Sequence, residues 1–110
     1  MPFNDQVATR IREQLRYFPD VLTEKRMFGG LVFLYKGKMT IGAVNNDLMV
    51  RVIEAKIDDE LSKKHVRPMD FVKKPMKEYI YVSQDGIKTE LELLHYIELG
   101  LEHAKYKLGE

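Results

Sequence analysis

The first hydrophobic pattern along the chain is helical: Val7, Ile11, Leu15 and Phe18 recur at steps of four, four and three, with Arg10, Glu13, Gln14 and Arg16 off that face. Asn4 or Asp5 can cap the free amides at its start, and Pro19 ends it. From Arg26 the period changes. The runs RMFGGLVFLY, KMTIGAV and LMVRV are rich in β-branched and aromatic residues, and Lys36-Gly37 and Asn45-Asn46-Asp47 split them with residues that tolerate positive φ. Three or four antiparallel strands in a meander are predicted. Val32 and Leu34 are as apolar as Leu31, Phe33 and Tyr35, the pattern of a strand covered on both faces.

Residues 53–64 return to helical spacing through Ile57 and Leu61. Pro68 and Pro75 bracket an irregular basic stretch, and Ile80/Val82 alternating with Tyr79/Tyr81 mark a further strand at 78–82. The longest pattern closes the chain. Ile87, Leu91, Leu94, Ile97, Leu101, Ala104 and Leu108 recur at steps of three and four, and Thr89 with Glu92 matches a capping box. Leu93, Tyr96 and Leu99 lie on the other flank of this helix, so both sides carry apolar surface. Either the first helix covers that second flank, or it is left for a partner chain. The expected architecture is α+β: two layers, an antiparallel sheet with helices on one face. A single domain over residues 1–110 follows, since no Pro/Gly/Ser-rich linker or repeat divides the chain.

Composition narrows the class without naming a reaction. With 45% hydrophobic and 32% charged residues and a formal net charge of +1, these 110 residues are those of a globular domain and not of a disordered tail. The absence of cysteine removes disulfides, thiol nucleophiles and Cys-ligated zinc, and fits a reducing compartment; a cytoplasmic location is expected. The longest uninterrupted apolar run, Leu31 to Tyr35, is far short of the roughly 20 residues of a membrane helix. The opening MPFNDQVATR has no signal-peptide core, so neither membrane insertion nor export is expected.

The charge is unevenly placed. Residues 25–52 carry Lys25, Arg26, Lys36, Lys38 and Arg51 against Asp47 alone, whereas residues 83–110 carry six carboxylates against three lysines. That asymmetry favours self-association or a partner of mixed charge. Lys63, Lys64, His65, Arg67, Lys73, Lys74 and Lys77 form the densest positive patch, with Phe71 available to stack on a base. A solvated face is its plain alternative.

Candidate chemistry is sparse. His65, His95 and His103 share no i, i+4 spacing, and His95, Glu98 and Glu102 make either a metal strip or, more plainly, a polar border on the last helix. Asp58 and Asp59 are adjacent in a helix and point about 100° apart, so they do not converge. Ser62 and Ser83 have no nucleophile signature around them. Gly29-Gly30 after Arg26 lets an anion or a backbone approach, or marks a bulge that starts the first strand, with Met27 and Phe28 in the core; no helix follows to make it a phosphate loop. No catalytic residue, cofactor or metal is assigned.

The stretch Arg26-Met27-Phe28-Gly29-Gly30-Leu31, with Lys38-Met39 after a glycine turn and then Asp47-Leu48-Met49-Val50-Arg51-Val52, resembles the N-terminal domain of the TfoX/Sxy family of bacterial competence regulators. Arg67-Pro68-Met69-Asp70-Phe71, Lys74-Pro75-Met76, the strand from Tyr79 to Val82 and the closing helix follow in that family's order, so the likeness spans nearly the whole chain. The resemblance implies a secretion-chaperone-like order α-β-β-β-α-β-β-α, a regulatory and not a catalytic setting, and dimerisation. The longer competence regulators carry a second, C-terminal domain, whereas this chain stops at Glu110; the fold and an interaction role carry over, and activation of competence genes does not. The expected function is a small non-catalytic regulatory module working by protein–protein contacts with an unidentified partner. A homodimer would use Leu93, Tyr96 and Leu99. The alternative is a nucleic-acid-associated, transcription-related factor contacting phosphates through Arg26, Lys64, Arg67, Lys73 and Lys74; an enzyme or small-molecule binder ranks last.

Overall fold

A computed structural model describes residues 4–27, 29–71 and 74–110. Helix α1 (Asp5–Leu15) starts where Asn4 accepts hydrogen bonds from the amides of Gln6 and Val7, and it buries Val7, Ala8 and Ile11. Four strands follow: β1 (Leu22–Met27), β2 (Gly30–Tyr35), β3 (Lys38–Val44) and β4 (Asp47–Arg51). After α2 (Glu54–Leu61) come β5 (Val66–Phe71) and β6 (Lys74–Val82), a 3-10 turn at Gln84–Ile87, and α3 (Glu90–Leu108). The sheet is antiparallel with order β1-β2-β3-β4-β6-β5.

The architecture is the expected α+β one, with one strand more before α2 than the order implied by resemblance. Four strands lie within the three or four that the periodicity predicted, and the run from Arg26 to Tyr35 is divided between β1 and β2. Met27 pairs with Gly30, so the chain reverses between β1 and β2, with Gly29 at φ +72°, and the strand before the reversal begins at Leu22. The glycine pair is therefore a hairpin turn and not a bulge. Of the basic stretch expected to be irregular, the described residues are strand: β5 lies at the sheet edge, where a proline such as Pro68 is tolerated, and residues 72 and 73 lie outside the described residues.

The main core lies between the sheet and the helices, with Ile11, Phe33, Ile41, Leu48, Ile80, Leu93 and Ile97 among its members. Val32, Val44, Met49, Met69 and Tyr79 form a second buried cluster on the opposite face of the sheet. β2 supplies both, Leu31, Phe33 and Tyr35 to one and Val32 to the other, which accounts for its unbroken apolar run.

In α3 the buried face takes in most of the predicted stripe and the second apolar flank as well, but not Leu91. Leu91 is 79% exposed, whereas Leu93, Tyr96, Ile97, Leu99, Gly100, Leu101, His103 and Ala104 are buried. The helix starts at its Thr89 capping box, and Leu91, nine residues before Gly100, lies about half a turn away from it at about 100° per residue. Ile87 reaches the core from the 3-10 turn instead. Gly100 faces β3 so closely that a Cβ there would lie 2.6 Å from the Thr40 carbonyl oxygen. Among the described residues, no helix is long and apolar enough to cross a membrane.

Candidate functional site

Three polar clusters and two surface recesses hold most of the side chains with chemistry to offer. Between α2 and α3, the buried Glu60 carboxylate lies 3.1 Å from His95 Nε2 and 3.0 Å from Lys63 Nζ. A recess of about 340 Å³ beside them is lined by Lys63, Gly86, Leu91, Glu92, His95 and Tyr96. Burial, reinforced by Glu60 and Glu92, pushes the Tyr96 hydroxyl up to about 12, so it stays a neutral phenol. Among the described residues no group of three His, Cys, Asp or Glu side chains is placed to hold a metal.

At the far end of α3, His103 is fully buried with Nε2 3.3 Å from Glu78, which also faces Arg51 at 3.4 Å and Lys107 at 3.5 Å. Glu78 adopts φ +74° close to the register shift between β5 and β6. Burial pushes the His103 imidazole below its ordinary value, and the Arg51 cation adds to that against the pull of Glu78. For Glu78 burial acts upward, but His103, Lys107 and Arg51 together hold the carboxyl below the usual range. The third cluster is on the second sheet face, where Arg67 pairs with Asp47 and lies over the Tyr81 ring at 4.9 Å.

The second recess lies on the β1 side of the molecule. Leu15 and Arg16 from the end of α1, Asp20 from the loop, Leu22 and Glu24 from β1, and Phe33 from β2 surround a volume of about 240 Å³ together with Arg12. Leu15 and Leu22 pack on the main core, so the floor is apolar. Arg12 grips Glu24 with two 2.8 Å hydrogen bonds, which raise the Arg12 guanidinium and lower the Glu24 carboxyl. Asp20 is 3.1 Å from Lys105, while Arg16 is exposed. β1 is an outer strand of the sheet with Thr23, Glu24, Lys25 and Arg26 exposed. Tyr17 and Val21, in the loop that borders the recess, are 85% and 80% exposed.

These positions separate the residues that the sequence grouped. Arg26 is on β1 and Arg67 on β5, the two opposite edges of a six-stranded sheet and so about 24 Å apart at about 4.8 Å per strand. Lys64 is exposed after α2, Arg67 is engaged by Asp47, Lys74 opens β6, and Lys73 lies outside the described residues. Leu93, Tyr96 and Leu99 are each 5% exposed or less. The flank expected to meet a second copy is closed within the chain, because the buried arc of α3 is wide enough to take in both of its apolar sides. The β1 recess went unread because LTEKRM is too charged to look like a strand, although Val21, Leu22 and Thr23 after Pro19 signal extended backbone.

An antiparallel sheet backed by helices, with ion pairs tying its elements together and an outer β1 strand beside a recess, defines a small α+β domain. A family model, the TfoX N-terminal domain, matches residues 13–104, and the chain belongs to that family. No curated protein and no solved structure matches the chain.

Proposed function

We propose that the chain is a non-catalytic regulatory module, like the N-terminal domain of competence regulators, and that it works by protein–protein contact on its β1 side. The observation that carries this reading is the open outer strand next to a recess with an apolar floor. Family membership supports a regulatory role. The polar clusters support it as well: the carboxylates of Glu60, Glu78 and Asp47 are each engaged by cations of the same chain, an arrangement that ties helices to strands. The nucleic-acid reading draws less support, since Arg26 and Arg67 stand on opposite sheet edges and Arg67 is paired with Asp47.

Site-specific photocrosslinking tests the proposal. A benzophenone side chain at Lys25, with one at the exposed Glu98 as control, should give protein adducts from Lys25 that a protease removes and a nuclease leaves intact. Adducts removed by nuclease, or protein adducts no more frequent from Lys25 than from Glu98, would refute it.

A further inference from the structure

We infer that the recess between the end of α2 and the first turns of α3 binds a small neutral molecule, with an apolar body the size of one ring and a carbonyl oxygen that accepts from the Tyr96 hydroxyl. This goes beyond the β1 reading and is independent of it. Three elements converge there: Lys63 follows α2, Gly86 sits in the 3-10 turn, and Leu91, Glu92, His95 and Tyr96 come from α3. At about 340 Å³ the space is at the small end of ligand pockets, which run from about 300 to 1,000 Å³. Tyr96 marks it as a site. The residue is 4% exposed, its ring meets the His95 ring edge-on at 4.9 Å, and Lys63 Nζ lies 5.8 Å from its centroid. Its hydroxyl, however, hydrogen-bonds to none of the described residues. A core tyrosine normally finds its O–H a partner. The oxygen is not fully enclosed, so it opens to solvent through the recess that Tyr96 lines. A donor held in place by packing and left without an acceptor is one that a ligand can use. In the same recess the exposed Leu91 offers an apolar wall.

Charge decides the class of ligand. Burial first, and then the carboxylates of Glu60 and Glu92, keep the Tyr96 hydroxyl protonated, so it donates. A carboxylate placed against it would meet the same two charges. A cation would meet Lys63, whose side chain lines the recess. Neither charged group of the rim is free to hold an ion of its own: Lys63 is committed to Glu60, and Glu92 accepts from the amide and hydroxyl of Thr89 in the helix cap. A neutral acceptor meets no like charge and still gains the hydrogen bond.

The probes are benzamide, benzoate and benzamidinium, which share one ring and differ in charge, each titrated into the full chain while amide shifts are followed by NMR. Benzamide should move the signals of Lys63, Gly86 and residues 91–96. Benzoate and benzamidinium should each bind more weakly by about fivefold or more. Tyr96→Phe removes a hydroxyl that the fold does not use, so it should keep the urea midpoint and weaken benzamide by about two- to tenfold, the worth of one hydrogen bond. Leu91→Ala should weaken benzamide as well, at unchanged stability, since that side chain is exposed. Glu92→Gln leaves a capping-box residue in place and removes a charge, so benzoate should gain on benzamide. Benzoate or benzamidinium binding as tightly as benzamide, or benzamide binding equally to the Tyr96→Phe and parent chains, would overturn the proposal. So would shifts confined to residues away from the recess, or no movement at tens of millimolar benzamide.

Discussion

Replacing Gly100 with alanine pits two effects against each other, and the packing of α3 decides the sign. In the middle of an exposed helix the change would stabilise by about 1 kcal/mol, because alanine restricts the unfolded chain and glycine does not. Here the new Cβ would stand 2.6 Å from the Thr40 carbonyl oxygen and 2.8 Å from Ile41 Cγ2. Normal contact needs at least 3.4 Å, so helix and strand must separate by most of an ångström. β3 cannot yield, since it is paired with β2 on one side and β4 on the other. The helix must lift, loosening Leu93, Ile97 and Leu101 on the same face. Overpacking of this kind costs about 1–3 kcal/mol and more where backbone is the obstacle. A net loss of about 1–2 kcal/mol is expected, or a Tm lower by about 4–16 °C. Urea unfolding followed by circular dichroism measures it, with Glu98→Gly on the exposed side of α3 as control; that change should also destabilise, by up to about 1 kcal/mol. A Gly100→Ala protein as stable as its parent would refute the close helix–sheet approach.

Other expectations follow from the same coordinates. Leu91→Ala should shift stability by less than about 0.5 kcal/mol, whereas Leu93→Ala should cost about 2–5 kcal/mol; equal effects in urea melts would mean the helix faces are misassigned. Thr89→Ala removes the capping box and should cost about 1 kcal/mol, read as a lower Tm with an unchanged m-value. His103 is held below its ordinary value in the folded chain, so the unfolded chain binds the proton more readily and stability is lost as pH falls below about 6.5. Glu78, held low by His103, Lys107 and Arg51 despite its burial, adds a further loss as pH falls through the carboxylate range. His103→Gln should flatten the pH dependence of the urea midpoint between about pH 7 and 5; an unchanged slope would show that His103 does not carry it.

Much of the fold was legible because its strands and helices obey local rules. The spacing of Val7, Ile11 and Leu15, the turn at Lys36-Gly37 and the Thr89–Glu92 cap each appear where the residues place them. Periodicity failed where two elements share one apolar run. Ile87 and Leu91 fit the stripe of α3 by count, but the 3-10 turn and the cap intervene, so Ile87 is buried and Leu91 is not. The same limit hid the Met27–Gly30 hairpin, since only pairing across the turn distinguishes a reversal from a continuous strand.

The site was less legible, for a reason that bears on how it works. An outer strand does not show itself by alternating apolar residues, because an exposed apolar edge pairs indiscriminately. Thr23, Glu24, Lys25 and Arg26 keep β1 soluble and make it read as loop. Its apolar contribution is confined to Leu22 and Met27 at the two ends, and Leu22 lines the recess. The sequence grouped cations by proximity along the chain and so favoured residues 63–77, whereas the fold sends β5 to one sheet edge and leaves β1, with Arg12 and Arg16 beside it, at the other. What distinguishes the two edges is the company their cations keep. Arg67 is engaged by Asp47 and Tyr81 on the second sheet face, while at the β1 side Arg12 is held by Glu24 and Asp20 by Lys105, so each edge ties its charges to the fold in its own way.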